Sequence, residues 1–414
     1  MLANISRIAS GQFIAQLILV ASLPYITRYY NPEEFGVFAV FSAIIGILVV
    51  FSTGKVEFLI ITMKSKDEAV ALTIGTMIMV LIFSFVITLI TLFFLSDFLN
   101  SFFLKEFSYL PLLMGVTILF IGGAQTLRYY ATYLGSFSGH GIAATVNAIS
   151  MISVALGYAI FIGGDSLPIG LILGQMIGQV LSFLVFLFYT DIIQMITLKK
   201  LKISSTTVLN QIQKIPVLLT TNLASSLSSR IPTLIMSAVG GMSVAGIFAM
   251  ADRAVGAPTG AFGQTVGQVV RHQYCKVYEV DNGNTSLPRK IIKSTFFFVI
   301  FGYGLLIVSA DWLVPLVLGE QWRVATVFVQ IIATMELFNF MFYSVEDIAI
   351  IRDNFSYRMW TQIAQLIFLL ILYAVVNVTN ILSNTELALG LICLARILFV
   401  AYDLTKTWRG VQKN

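Results

Sequence analysis

Apolar residues fill this chain in long unbroken stretches, and polar residues interrupt them only at wide intervals. Twelve stretches stand out: Ile5–Ile26, Gly36–Thr62, Ala69–Phe94, Tyr109–Leu134, Ile142–Ile162, Pro168–Tyr189, Pro216–Ala238, Val244–Val270, Ile291–Val317, Val324–Ile351, Trp360–Val378 and Leu387–Tyr402. A helix needs about 20 mostly apolar residues to cross the hydrocarbon of a bilayer. The stretches are continuous rather than alternating, and a membrane strand would be only about 10 residues long, so the pattern predicts helices and excludes a β-barrel. The expectation is an all-α polytopic membrane protein with about 12 transmembrane helices.

Composition agrees. Of 414 residues, 58% are hydrophobic and 11% charged, against roughly 25% charged in an ordinary soluble domain. The net charge of +5 reads as an orientation signal and not as a nucleic-acid surface, because Lys and Arg concentrate in short loops. With the N-terminus inside, seventeen of the 25 basic residues fall on inner segments, Lys64, Lys66, Lys199, Lys200, Lys202 and Lys214 among them; only Arg28, Lys105 and Arg323 fall outside. Both termini are therefore expected in the cytoplasm. The stretch after Arg7 is too long and lacks the small-residue site of a cleavable signal, so it reads as a retained first span.

The two longest loops, Thr190–Ile215 and Arg271–Lys290, are expected on the cytoplasmic side, and the first divides the chain into two lobes of six spans, 1–200 and 201–414. Gly36-Val-Phe-Ala-Val opens span 2, and Gly246-Ile-Phe-Ala-Met lies near the start of span 8, an offset of 210 residues. Two halves in the same orientation imply a pseudo-twofold axis along the membrane normal, as in parallel-repeat transporters.

Charges inside the spans mark candidate sites, since a charge at the bilayer centre costs about 2.5–3.5 kcal/mol and faces a bundle interior or a wet cavity. Five basic residues qualify: Lys55, Arg128, Arg230, Arg253 and Arg396; the acidic set includes Glu57, Asp252 and Glu336. Arg230 lies midway along span 7 among Ser225, Ser226, Ser228 and Ser229, with Pro232 following. Arg253 is followed by Gly256 and Pro258, which permit a kink or close packing beside a cavity. Asp252 sits about 100° around the helix from Arg253 and is expected to serve another helix. Lys55 follows Thr53 and Gly54, while Glu57 is expected to pair with a basic residue of another span. Arg128, among Tyr129, Tyr130 and Tyr133, also reads as one snorkelling arginine in an interfacial aromatic belt. The interior is net cationic at its deepest points, which suits an anionic cargo head group, and Arg keeps its charge and fork geometry when buried.

There is no GxxxxGK[ST] loop, nucleophile elbow or HExxH. His140 and His272 are far apart, and Cys275 and Cys393 suggest neither disulfide nor metal site. No cofactor, no metal and no catalysis are expected.

The stretch Arg28-Tyr-Tyr-Asn-Pro-Glu-Glu-Phe-Gly-Val-Phe-Ala-Val, and Ala245-Gly-Ile-Phe-Ala-Met-Ala-Asp-Arg leading into span 8, resemble the O-antigen and polysaccharide flippases (Wzx-type) of the MATE-like multidrug/oligosaccharidyl-lipid/polysaccharide (MOP) exporter superfamily. The resemblance implies two six-helix lobes around a central cavity with alternating access. It implies an undecaprenyl-diphosphate-linked oligosaccharide, such as an O-antigen repeat unit, moved from the cytoplasmic to the periplasmic leaflet of a bacterial inner membrane. It implies membrane lipids, a polysaccharide polymerase and a chain-length regulator as partners. Arg28, Lys55 and Arg253 stand at places comparable to cavity-lining basic residues of related lipid flippases, with Lys55 where Arg is more usual; Arg230 and Arg128 join them as head-group candidates. Glu57, Asp252 and Glu336 are candidates for ion coupling or charge pairing. Two other readings stand beside this one. An ion-coupled small-molecule exporter of the same fold would favour an acidic cation site. A membrane polysaccharide polymerase would need a larger extramembrane loop than the sequence offers.

Overall fold

The structure, a computed structural model, describes residues 2–94, 110–136, 138–163, 168–193, 215–280, 286–351, 355–378 and 385–412. These residues form helices and no strands. In chain order they are α1 (Leu2–Tyr29), α2 (Pro32–Thr53), the single turn α3 (Glu57–Ile60), α4 (Lys66–Phe93), α5 (Leu110–Tyr133), α6 (Ser138–Phe161), α7 (Pro168–Tyr189), α8 (Ile215–Val280), α9 (Ser286–Leu318), α10 (Ala325–Ile351), α11 (Phe355–Val378) and α12 (Thr385–Gln412), with a 3-10 turn at Glu320–Trp322. Eleven of the twelve expected spans coincide with one of these helices or with a limb of one, and span 2 is divided between α2 and α3. Among the described residues, eight segments are long and apolar enough to cross a membrane by length and hydropathy, and Ala325–Phe340 is a shorter apolar helix. On α4, Ile78, Met79, Leu81, Ile82, Phe85, Val86 and Leu89 are exposed, a wide apolar face suited to lipid.

Three departures from the expected span map have local causes. Span 2 is not continuous. It breaks after Thr53, where Gly54 (φ 56°) and Lys55 (φ 59°) both adopt the left-handed conformation before α3 begins. Spans 7 and 8 are two limbs of α8, joined without a loop through Gly241 at φ 75°, a value open to glycine without steric cost. The expected loop Arg271–Lys290 is largely helical, since α8 continues to Val280 and α9 starts at Ser286. Lys105, Lys199, Lys200, Lys202 and Lys214 lie outside the described residues, as do the side chains of His272 and Cys275.

Helix starts follow local chemistry. Before α2, the Asn31 side chain accepts from the Glu34 N–H at 2.9 Å, and Glu34 Oε2 accepts from the Asn31 N–H at 2.8 Å. That is a reciprocal capping box with Pro32 at the first helical position, where its missing N–H is not needed. Ser65 caps α4 by accepting from the Glu68 N–H at 3.2 Å.

The described chain clusters into two compact units, residues 1–22 with 40–230, and residues 23–39 with 231–414. In the first unit, Val56, Ile60, Leu127, Tyr130, Ala143 and Phe186 belong to one buried cluster. At its rim Asp191 accepts from Lys66 and, at 2.9 Å, from the Tyr130 hydroxyl. Burial pushes the Asp191 carboxyl up, but these two donors outweigh it and hold the group below the usual carboxylate range.

The second unit holds the two repeated motifs against each other. A Cβ added at Gly36 would lie 1.7 Å from the Met242 carbonyl oxygen, and one added at Gly246 would lie 1.8 Å from the Pro32 carbonyl oxygen. Met242 stands four residues before Gly246, and Pro32 four before Gly36. The contact therefore maps onto itself under the 210-residue offset, as a local twofold relation between the motifs requires. Beside it, Trp322 Nε1 donates to the Thr27 carbonyl at 3.1 Å, and the Trp322 ring meets Phe35 edge-on at 5.9 Å between centroids.

Candidate functional site

The first unit contains a cavity of about 410 Å³ within its membrane-spanning helices. Polar side chains line it from four elements: Ser42 on α2, Gln125 on α5, Gln175 and Gln179 on α7, and Asn222, Ser225, Ser226 and Arg230 on the first limb of α8; Lys55 enters from the break after α2. Ile45, Gly46, Val49, Val50 and Ile121 complete the wall.

Arg230 is held by α2. Its guanidinium lies against Gly46, where a Cβ would come within 2.4 Å of Cζ. Nη1 donates to the Ser42 carbonyl at 3.2 Å, and Ser226 Oγ donates to the Gly46 carbonyl at 3.2 Å. The absence of a side chain at Gly46 thus lets a charged group lie across the helix backbone inside an apolar bundle. Ser42 Oγ in turn donates to Gln175 Oε1 at 2.6 Å, tying α7 into the same wall.

Lys55 owes its position to the helix break. On an unbroken helix, residues two apart point about 200° away from each other. The two left-handed residues turn the chain so that Lys55 Nζ lies 3.5 Å from Glu57 Oε1. Thr53 Oγ1 donates to the same oxygen at 3.1 Å and accepts from the Lys55 N–H at 3.3 Å. Lys55 is 7% exposed and Glu57 is fully buried. Glu57 Oε2 has no hydrogen-bond partner among the described residues. The expected pairing of Glu57 with a basic residue of another span is replaced by this local pair, because the expectation assumed a continuous helix. Lys55 Nζ also sits 5.5 Å from the Phe58 ring centre, a cation–π distance. Lys55 in a left-handed conformation costs roughly 1–2 kcal/mol, and strain of this kind concentrates where function holds it in place.

The remaining sequence candidates lie elsewhere. Arg128 is exposed on α5 with its guanidinium 5.9 Å from the Tyr129 ring centre, the geometry of the aromatic-belt reading. Its charge still reaches Lys55. Arg28 is exposed in the last turn of α1. Arg253, in the second unit, is half-buried with its guanidinium over two rings, 5.3 Å from Phe35 and 5.0 Å from Phe38. Asp252 turns toward α10: the Cβ position of Gly256 falls 3.3 Å from Asp252 Oδ1 and 3.8 Å from Glu336 Cδ. Glu336 is 5% exposed and accepts from Asn339 Nδ2 at 2.7 Å, and the charges of Arg396 and Asp252 both reach it. The structure thus brings Lys55 and Arg230 to one cavity and Asp252 and Glu336 to another cluster.

Sequence reasoning missed Ser42, Gln125, Gln175, Gln179 and Asn222. The signal available was the pair Gln175 and Gln179, four apart in an otherwise apolar span and so on one helix face.

A sequence family described as polysaccharide biosynthesis protein matches residues 25–327. No curated protein sequence matches the chain. Among solved structures, the lipid II flippase MurJ in an inward closed conformation superposes with a TM-score of 0.72 at 14% identity, covering 99% of this chain and 90% of that one. A multidrug resistance MATE family transporter of the MOP superfamily, in an inward-facing conformation, gives 0.57 at 14% identity over 98% and 95%. A MOP superfamily transporter from Pyrococcus furiosus gives 0.58 at 15% identity over 99% and 95%. At these identities the likeness is one of fold.

Proposed function

The chain belongs to the polysaccharide biosynthesis protein family, and we propose that within it this protein is a flippase for a lipid-diphosphate-linked oligosaccharide. The cargo would be an undecaprenyl-diphosphate-linked O-antigen or similar repeat unit, carried from the cytoplasmic to the periplasmic leaflet by alternating access of two six-span lobes, 1–200 and 201–414. The observation that carries the reading is the polar cavity with Lys55 and Arg230 on its wall, inside helices otherwise built for lipid. Intramembrane charges are kept where they bind or move something, and a guanidinium with an ammonium suits a diphosphate. The fold shared with a lipid II flippase supports the same direction.

In this reading Lys55 and Arg230 hold the head group, and Arg253, Arg28 and Arg128 are further candidates for contact with the anionic cargo. Glu57, Asp252 and Glu336 serve charge pairing or ion coupling. The Glu336 cluster is the observation that favours the second reading, an ion-coupled small-molecule exporter. The Lys and Arg bias supports an inner-membrane protein with cytoplasmic termini; a polysaccharide polymerase and a chain-length regulator would act on the delivered product.

Purified protein in liposomes tests the proposal. A fluorescent lipid-diphosphate oligosaccharide should cross to the opposite leaflet with its mass unchanged, and Arg230→Ala should slow the crossing. A lengthened or cleaved glycan would establish an enzyme instead, and ion-coupled export of a small molecule without lipid movement would establish the exporter.

A further inference from the structure

Two cations explain how the cavity could hold a diphosphate, but most of its polar wall is neutral. Four carboxamides line it from three helices: Gln125, Gln175, Gln179 and Asn222. Gathered on one cavity, these four amides present a neutral surface of donors and acceptors to whatever fills it. Gln175 and Gln179 are one turn apart on α7 and share a face. Ser42 donates to Gln175 Oε1 at 2.6 Å, which uses one of that oxygen's two acceptor positions and orients the amide. Ser225 and Ser226 add hydroxyls on the α8 side.

We propose that this carboxamide wall is a sugar subsite, which reads the hydroxyl and acyl groups of the saccharide nearest the lipid while Lys55 and Arg230 hold the diphosphate. The inference rests on the flippase reading and deepens it. A carboxamide offers a donor and an acceptor in one plane, the pattern that adjacent pyranose hydroxyls complement. It brings no charge to compete with the phosphates for the two cations. A volume of about 410 Å³ lies within the roughly 300–1,000 Å³ of small-molecule sites. A pocket for an apolar drug would not gather four amides, and a pocket for a bare diphosphate would not need them.

Binding to the full-length protein in lipid nanodiscs tests the subsite. The probes are a prenyl diphosphate and the same lipid diphosphate carrying one glucose, galactose or N-acetylglucosamine. Wild-type protein should bind at least one sugar-bearing lipid more tightly than the bare one. Gln179→Ala and, from a different helix, Gln125→Ala should each weaken that complex about fivefold, the effect of one lost neutral hydrogen bond, and leave the bare lipid within about twofold. Bare-lipid binding reports folded protein in each variant. Arg230→Ala should weaken both kinds of lipid alike. Equal losses for sugar-bearing and bare lipids in the glutamine variants, or no sugar preference in the wild type, would overturn the subsite and leave the flippase reading standing. Failure of the wild type to bind any of these lipids would overturn both.

Discussion

Replacing Gly246 by alanine adds one methyl group where the second motif crosses the first. The new Cβ would stand 1.8 Å from the Pro32 carbonyl oxygen and 2.8 Å from the Gly36 nitrogen. Ordinary van der Waals contact is short of being met by roughly 1.5 Å, and the obstruction is backbone, which cannot rotate away as a side chain can. The two helices must separate, and the neighbouring Phe35–Trp322 contact and the Trp322–Thr27 hydrogen bond loosen with them. Overpacking of this kind costs about 1–3 kcal/mol, a fall in melting temperature on the order of 5 °C. Gly36→Ala meets the Met242 carbonyl at 1.7 Å and should cost as much. The double variant should cost less than the sum, because the first methyl already opens the crossing. Gly302→Ala on α9 is the control, since nothing lies within 4 Å of its added Cβ; it should be neutral or stabilising, because alanine is the better helix former. Thermal unfolding of purified protein, followed by tryptophan fluorescence, measures all four. Gly246→Ala unfolding at the wild-type temperature, or fully additive losses in the double variant, would refute the reciprocal crossing.

Two further outcomes are expected. Transport should fall from wild type through Arg253→Lys to Arg253→Ala at unchanged membrane level, because Lys keeps the charge but loses the planar contact with Phe35 and Phe38; normal transport by Arg253→Ala would remove it from the site, and a loss of membrane-inserted protein would make it structural. Asp191→Asn should lower the melting temperature at neutral pH by an amount worth at most about 1 kcal/mol, since the Lys66 pair is partly exposed. The folded carboxyl titrates below its unfolded value, so its stabilisation is present above about pH 4 and is lost as pH falls through the folded value; melting curves of the two proteins should therefore converge in acid, and a gap that persists there would remove the ion pair from the account.

The spans were legible because the bilayer imposes one length and one polarity on every crossing segment, and little else in a sequence produces that pattern. The break in span 2 was not legible. Val49 to Val56 reads as one apolar run with a polar patch, and glycine occurs within membrane helices without breaking them. Only the backbone shows that Gly54 and Lys55 both turn left-handed. That single feature decides the partner of Glu57, so an inference sound for a regular helix assigned the wrong one. The amide wall was hidden for a different reason. Gln125, the pair Gln175 and Gln179, and Asn222 lie in separate spans, and only the pair marks a polar face by its own spacing. That the three spans converge on one cavity is not encoded in spacing along the chain.

The two motifs show what a sequence repeat can carry beyond topology. Read separately, Tyr-Asn-Pro-Glu-Glu-Phe-Gly-Val-Phe and Ala-Gly-Ile-Phe-Ala-Met-Ala-Asp-Arg mark corresponding points of two halves. In the second unit they are physical neighbours: Gly36 meets Gly246 backbone to backbone, and Phe35 and Phe38 from the first motif receive Arg253 from the second. The capping box at Asn31 and Glu34 fixes where α2 begins, and so fixes the height at which Gly36 presents its bare backbone to Gly246. Moving that start by one residue would swing Gly36 about 100° around the helix and put a side chain into the crossing. The capping residues, the glycines and the aromatic pair are thus parts of one requirement, the close approach of two helix ends that places Arg253 over Phe35 and Phe38. Asn31→Ala should accordingly loosen the Arg253 contact although it touches neither ring, which a shift in the fluorescence of Trp322, packed on Phe35, would register. An unchanged Trp322 spectrum in a variant with a measurably weakened helix start would show that the crossing is held by its own packing and not by the cap.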